Sequence, residues 1–140
     1  MKTKNIKGVT YKIIPEANRV ASEEVWWLGD LIDKDVSQLK RIEKSLIKAV
    51  VAKVGGTGWL WIRSTANCDG RDEFDENTGI AICSAKNDMK RHGCLARRYT
   101  NAYHLFAKLA DVCRQLADKH AIKEYNIKED LENYYGGDVK

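Results

Sequence analysis

From Ile82 to Ala117 one apolar stripe recurs at alternating spacings of three and four: Ile82, Ala85, Met89, His92, Ala96, Tyr99, Tyr103, Phe106, Ala110, Cys113 and Ala117. That mean spacing suits an α-helix with a heptad-like seam, and it outweighs a strand reading of the short run from Gly79 to Cys83. A continuous helix from Glu76 to His120 would run about 67 Å at 1.5 Å per residue, well beyond the width of a compact domain of this size. Such a helix either bends near His92-Gly93, where glycine is a poor helix former, or projects and pairs with a second copy. The expectation is a homodimer through the long helix. Leu105, Leu109, Val112 and Leu116 widen the apolar face, so the C-terminal half of the helix is predicted to dock on the core.

The residues before this stripe read as a small sheet with helices. Val9 to Ile14 is β-branched and aromatic, Pro15-Glu16-Ala17-Asn18 has turn chemistry, and Arg19-Val20-Ala21 returns the chain, predicting an N-terminal hairpin. Ser22, Glu23 and Glu24 can cap a short helix through Trp26, Trp27, Leu31 and Ile32, with an extended strand as the alternative. Val36, Leu39, Ile42, Leu46, Ala49 and Val50 repeat at helical spacing from a cap at Asp35 to a stop at Gly55-Gly56. Trp59 to Arg63 is strand-forming, with Trp59 and Trp61 on one face and Leu60 and Ile62 on the other, so both faces are expected to be at least partly covered, in a central or a partner-covered strand. Near the C-terminus, Asn126 and Glu129 form a capping box for a short helix through Ile127, Leu131 and Tyr134, stopped at Gly136-Gly137. The resulting expectation is an α+β fold. A small antiparallel sheet, the N-terminal hairpin plus the Trp59 strand, packs on helices that include a long C-terminal one. Residues 1–125 form a single domain and 126–140 a short helix and tail.

The segment CDGRDEFDENTGIAICSAK, Cys68 to Lys86, joins the last strand to the long helix. Its acids do not follow calcium-loop spacing, because Arg71 falls where an oxygen ligand belongs and no glycine sits at the sixth position. Helix initiation accounts for them: Asp72 or Asp75 can accept bonds from the first free amides, and Glu76 adds favourable charge at the positive end of the helix dipole. No nearby base or nucleophile turns Asp72 and Asp75 into a catalytic pair. The spacing of Cys68, Asp72, Phe74 and Gly79, with Cys83 and Lys86 following, resembles a family of short bacteriophage and prophage proteins that read C-x-P-x-D-x-F-x-x-x-x-G-x-x-x-A-x-x-R. Gly70, Cys83 and Lys86 stand where that family has proline, alanine and arginine. The resemblance implies a phage accessory protein that binds a host protein or nucleoprotein, for example a counter-defence inhibitor such as an anti-CRISPR. It maps no catalytic residue. Cys83 or Cys94 with His92 could form a nucleophilic site, but no third orienting group or oxyanion loop accompanies them, so neither an enzyme nor a cofactor is expected.

Composition narrows the classes further. A net charge of +4 on 140 residues excludes a DNA mimic, which needs a strongly negative surface. No apolar run approaches the roughly 18 residues of a membrane span, and the charged start MKTKNIKG is not followed by a signal peptide's apolar core, which predicts an intracellular protein; with the phage resemblance this implies the host-cell cytoplasm. Cys68, Cys83, Cys94 and Cys113 contain no C-x-x-C pair, so reduced thiols are expected rather than a zinc module, and the looser set Cys83, His92 and Cys94 is the only metal alternative. The feature most open to a functional reading is a basic cluster: Lys86, Lys90, Arg91, His92, Arg97 and Arg98 lie within thirteen residues of the long helix. Positions 86, 90 and 97 share one face, with 91 and 98 beside it, so the charges form a stripe that could follow a phosphate backbone or meet an acidic protein surface. The same pattern also describes an ordinary solvated helix face. Trp26, Trp27, Tyr99 and Tyr103 are the candidate interface aromatics.

Overall fold

The computed structural model describes residues 1–55, 58–68 and 73–136. Four strands, β1 (Lys2–Ile6), β2 (Val9–Ile14), β3 (Arg19–Trp27) and β4 (Trp59–Asn67), form one antiparallel sheet in the order β1-β2-β3-β4. Three helices accompany it: α1 (Leu28–Asp35), α2 (Arg41–Gly55) and α3 (Glu76–Tyr135). The α+β class expected from the sequence is therefore observed, with one more strand than foreseen. β1 joins through Lys7 and Gly8, both at positive φ (52° and 83°), the backbone of a tight two-residue hairpin turn.

Two of the expected boundaries move. Ser22 to Trp27 is strand rather than helix, because β3 lies between β2 and β4 and its alternate residues Val20, Ser22 and Glu24 are all buried on one face. The second helix starts at Arg41 rather than at Asp35. Leu28, Ile32 and Val36 are buried at successive steps of four, so Val36 completes the stripe of α1 instead of opening that of α2. At the start of α2 the Lys40 amide donates to Glu43 Oε2 at 3.4 Å.

Contacts divide the chain into Met1–Ala102 and Tyr103–Lys140. α3 runs unbroken through Gly93 and through Asn126, so the short helix expected from Asn126 is part of it. In the first unit the core is built from Tyr11, Ile13, Val20, Ala66 and Cys83, with Val9, Phe74 and Ile80 packed around them. The face of α3 that reaches this core is not the stripe that the sequence advertises. Its buried residues are Gly79, Cys83, Asn87, Leu95 and Ala102, whereas Ile82, Met89 and Tyr103 are exposed. Small and polar groups make this contact because the helix comes very close: a Cβ on Gly79 would lie 2.5 Å from Val20 Cγ2. Cys83 Sγ donates to the Val20 carbonyl at 3.4 Å, and Asn87 Nδ2 donates to Ser22 Oγ at 2.9 Å. An apolarity count passes over glycine and asparagine, so it picked the wrong side of the helix.

Leu109, Val112 and Leu116, expected to widen the apolar face of the helix, belong to the second unit. All three are exposed, and no residue of α3 beyond Ala102 is buried. At the start of α3, Asp75 is the cap. Its Oδ1 accepts from the Asn77 amide at 3.0 Å and its Oδ2 from the Thr78 hydroxyl at 2.8 Å, and these bonds hold its carboxyl below the usual range. The Thr78 hydroxyl is the larger cause. The alternative cap Asp72, and the stops at Gly56 and Gly137, lie outside the described residues. Among the described residues no helix is long and apolar enough to cross a membrane.

Candidate docking surface on the open sheet face

Four members of the basic stripe are engaged within the chain. Lys86 Nζ donates to the Thr65 carbonyl at 2.7 Å, and Lys90 Nζ donates to the Arg63 carbonyl. The match is geometric: four residues along a helix advance about 6.0 Å and two along a strand about 6.6 Å, so lysines at i and i+4 meet alternate carbonyls of β4. β4 has β3 on one side only, so these ammonium groups occupy backbone acceptors on an edge strand, a device that discourages further strand pairing. Arg91 bonds Glu24 Oε1 at 3.3 Å and Asp88 Oδ1 at 2.8 Å, and its guanidinium sits 5.1 Å from the Trp26 ring centre. Glu24 is 5 % exposed, so Arg91 neutralises a buried carboxylate, and removal of Arg91 would leave that charge uncompensated. Arg98 donates to the Gly55 carbonyl at the C-terminal end of α2, where a cation suits the helix dipole. His92 and Arg97 are exposed.

The four candidate interface aromatics separate. Trp26 and Trp27 are adjacent in a strand, so they point to opposite faces of the sheet. Trp26 lies against Arg91, while Trp27 stands 40 % exposed on the other face. Tyr99 is a strut between helices rather than a free surface group. Its hydroxyl donates to Asp35 Oδ2 at 2.8 Å, and burial together with that carboxylate holds it well above the ordinary phenol value. Tyr103 is exposed and makes an edge contact with His104 at 5.4 Å between ring centres.

The face of the sheet opposite α3 is where exposed aromatics collect. Val25 pairs with Trp61 and Trp27 with Trp59 across the β3–β4 ladder, and the next pair on the same face is Glu23 with Arg63. Trp59, Trp61, Trp27 and Val25 are 63, 58, 40 and 37 % exposed. Trp27 and Trp59 meet edge to face at 5.2 Å, and the Arg63 guanidinium lies 5.9 Å from the Trp61 ring centre while also bonding Glu23 at 2.9 Å. With aromatic side chains carrying about 150–250 Å² each, this cluster presents on the order of 400 Å² of apolar surface, the size of functional patches on monomeric proteins. Of the two positions expected for the Trp59 strand, central or partner-covered, the central one is corrected, because β4 lies at the edge of the sheet. Ile62, Ser64 and Ala66 are buried on the α3 side, and no residue of the other face of β4 is. The clue in the sequence is the parity of Trp27, Trp59 and Trp61, which becomes informative only once the β3–β4 register is known.

Among the described residues no three His, Cys, Asp or Glu side chains cluster as a metal ion requires. Cys83 and His92 are nine residues apart on one helix, hence on opposite faces of α3, and cannot share an ion. Searches against protein-family models, curated proteins and solved structures find no match for this chain.

Proposed function

We propose that the chain is a non-enzymatic binding protein that docks a host protein or nucleoprotein on its tryptophan face. In this reading it serves a bacteriophage or prophage as a counter-defence inhibitor such as an anti-CRISPR, and it acts as a homodimer in the host cytoplasm. The observation that carries the reading is the exposed cluster of Trp27, Trp59, Trp61 and Val25 on a sheet face with no buried residue of β4. Tryptophan and arginine dominate the energetic centres of interfaces, and a rigid sheet presents them at little entropic cost. Arg63 and Glu23 border the cluster, and further along the same face Lys12 and Arg19 tip the charge to positive, which suits a partner carrying carboxylates. The source and the kind of target rest on the Cys68, Phe74 and Gly79 resemblance.

The test is affinity capture from host lysate with the wild-type chain and with Trp59→Ala/Trp61→Ala. The double variant is expected to lose at least about a hundredfold in affinity for the partner retained by wild type, as truncation of two anchor residues does. Equal capture by both proteins overturns the assignment of this face.

A second reading is single-stranded nucleic acid, because tryptophans beside Arg63 on a four-stranded sheet also suit the stacking of unpaired bases. Oligonucleotide titrations at low and high salt separate the two. Tight, steeply salt-dependent binding that Trp59→Ala removes supports the second reading. The helix stripe has less to offer a phosphate backbone, since Lys86, Lys90, Arg91 and Arg98 already have partners inside the chain.

A further inference from the structure

The unit from Tyr103 onward is described as helix as far as Tyr135, about 50 Å at 1.5 Å per residue. None of its described residues is buried, although Leu109, Leu116, Ile127 and Leu131 are apolar side chains, 47, 49, 59 and 39 % exposed. We propose that this helix pairs antiparallel with the same helix of a second copy, about a two-fold axis at His120. The proposal rests on the homodimer reading and adds to it an orientation and a register.

The seam is mirror-symmetric in sequence. Phe106, Leu109 and Cys113 precede His120 by fourteen, eleven and seven residues, and Ile127, Leu131 and Tyr134 follow it by seven, eleven and fourteen. The steps of three and four reverse their order at His120, so an antiparallel pair centred there also sets core position against core position along its length. Phe106 then faces Tyr134, Leu109 faces Leu131 and Cys113 faces Ile127 of the other copy. Leu116 faces Glu124 beside the axis, a polar interruption of the kind that fixes register at some cost in stability.

Charge favours the same direction. Residues 103–119 carry three Lys or Arg and two Asp, net +1, and residues 121–136 carry two Lys and four Asp or Glu, net −2. Parallel pairing sets the acidic half against itself, whereas antiparallel pairing sets it against the basic half. The seam side chains with their flanking stems offer on the order of 700 Å² per copy, close to the area per partner of a stable specific interface. A two-fold axis makes both halves of the contact identical, as a closed dimer requires.

Two measurements on the full chain test this. Sedimentation at micromolar concentration is expected to give a dimer mass, and Leu109→Asp/Leu131→Asp is expected to raise the dissociation constant at least about a hundredfold with unchanged helicity, since both positions are exposed within one chain. For the register, Ile127→Cys is oxidised and its cross-links are mapped by mass spectrometry. Antiparallel pairing links Cys113 to the thiol introduced at position 127 of the other copy. In a parallel pair those positions are fourteen residues apart, roughly 21 Å, beyond disulfide reach, and Cys113 links to itself. A dimer mass with Cys113 linked to itself refutes the register and leaves the homodimer standing. A monomer at every concentration refutes both.

Discussion

Gly79 holds the start of α3 against β3 by what it lacks. A methyl group there meets Val20 Cγ2 at 2.5 Å, and Val20 is fully buried with no room to turn aside. Gly79→Ala is accordingly expected to destabilise the chain by about 1–3 kcal/mol, the usual cost of overpacking a filled core, read as a lower denaturant midpoint at unchanged slope. An unchanged midpoint would mean that the helix lies further from the sheet than described. In sequence terms Gly79 stood out only as a spaced motif residue. Its physical reason, a close helix–strand approach, became legible when Val20 was placed beneath it. Asp75 was legible in advance, because a carboxylate one residue before a helical pattern has few other uses. Asn87 was not, since a buried amide is readable only with its partner Ser22 in view.

At the scale of elements, α3 is tied down mainly by polar bonds. Lys86 and Lys90 reach carbonyls of β4, Arg98 reaches the last turn of α2, and Tyr99 reaches Asp35 at the end of α1. The sequence showed these side chains as a stripe but could not show that its partners were backbone acceptors on other elements. The Tyr99 contact has a pH signature. Burial and the Asp35 carboxylate raise its hydroxyl above the unfolded value, so its stabilisation is complete below about pH 10 and is lost as pH rises beyond that. Denaturation midpoints taken from pH 8 to pH 11 should fall steeply in the wild type and less steeply in Tyr99→Phe. A residual slope is expected from Tyr11, whose hydroxyl is also raised by burial. Identical slopes in the two proteins would remove the Tyr99–Asp35 bond from the account. Helix and strand identities were largely readable from periodicity. The exceptions have local causes: β3 hid its strand behind a capping signal at Ser22, and Val36 belonged to the helix before it.

In the whole molecule the labour is divided between surfaces. The basic stripe, the most conspicuous functional signal in the sequence, mainly secures α3, and the candidate docking surface moves to a sheet face whose tryptophans were visible but could not be assigned together. Trp26 and Trp27 looked like a pair and act on opposite faces, while Trp27, Trp59 and Trp61 looked separate and act as one cluster. Strand pairing across more than thirty residues of sequence produces that arrangement, and no local pattern carries it. The central claim is that partners dock on this cluster, and the quenching of tryptophan fluorescence by acrylamide tests it most directly, in the free protein and in the complex captured from host lysate. The account predicts strong quenching of the free chain, dominated by Trp59 and Trp61, and marked protection in the complex. Equal quenching in both states would contradict it.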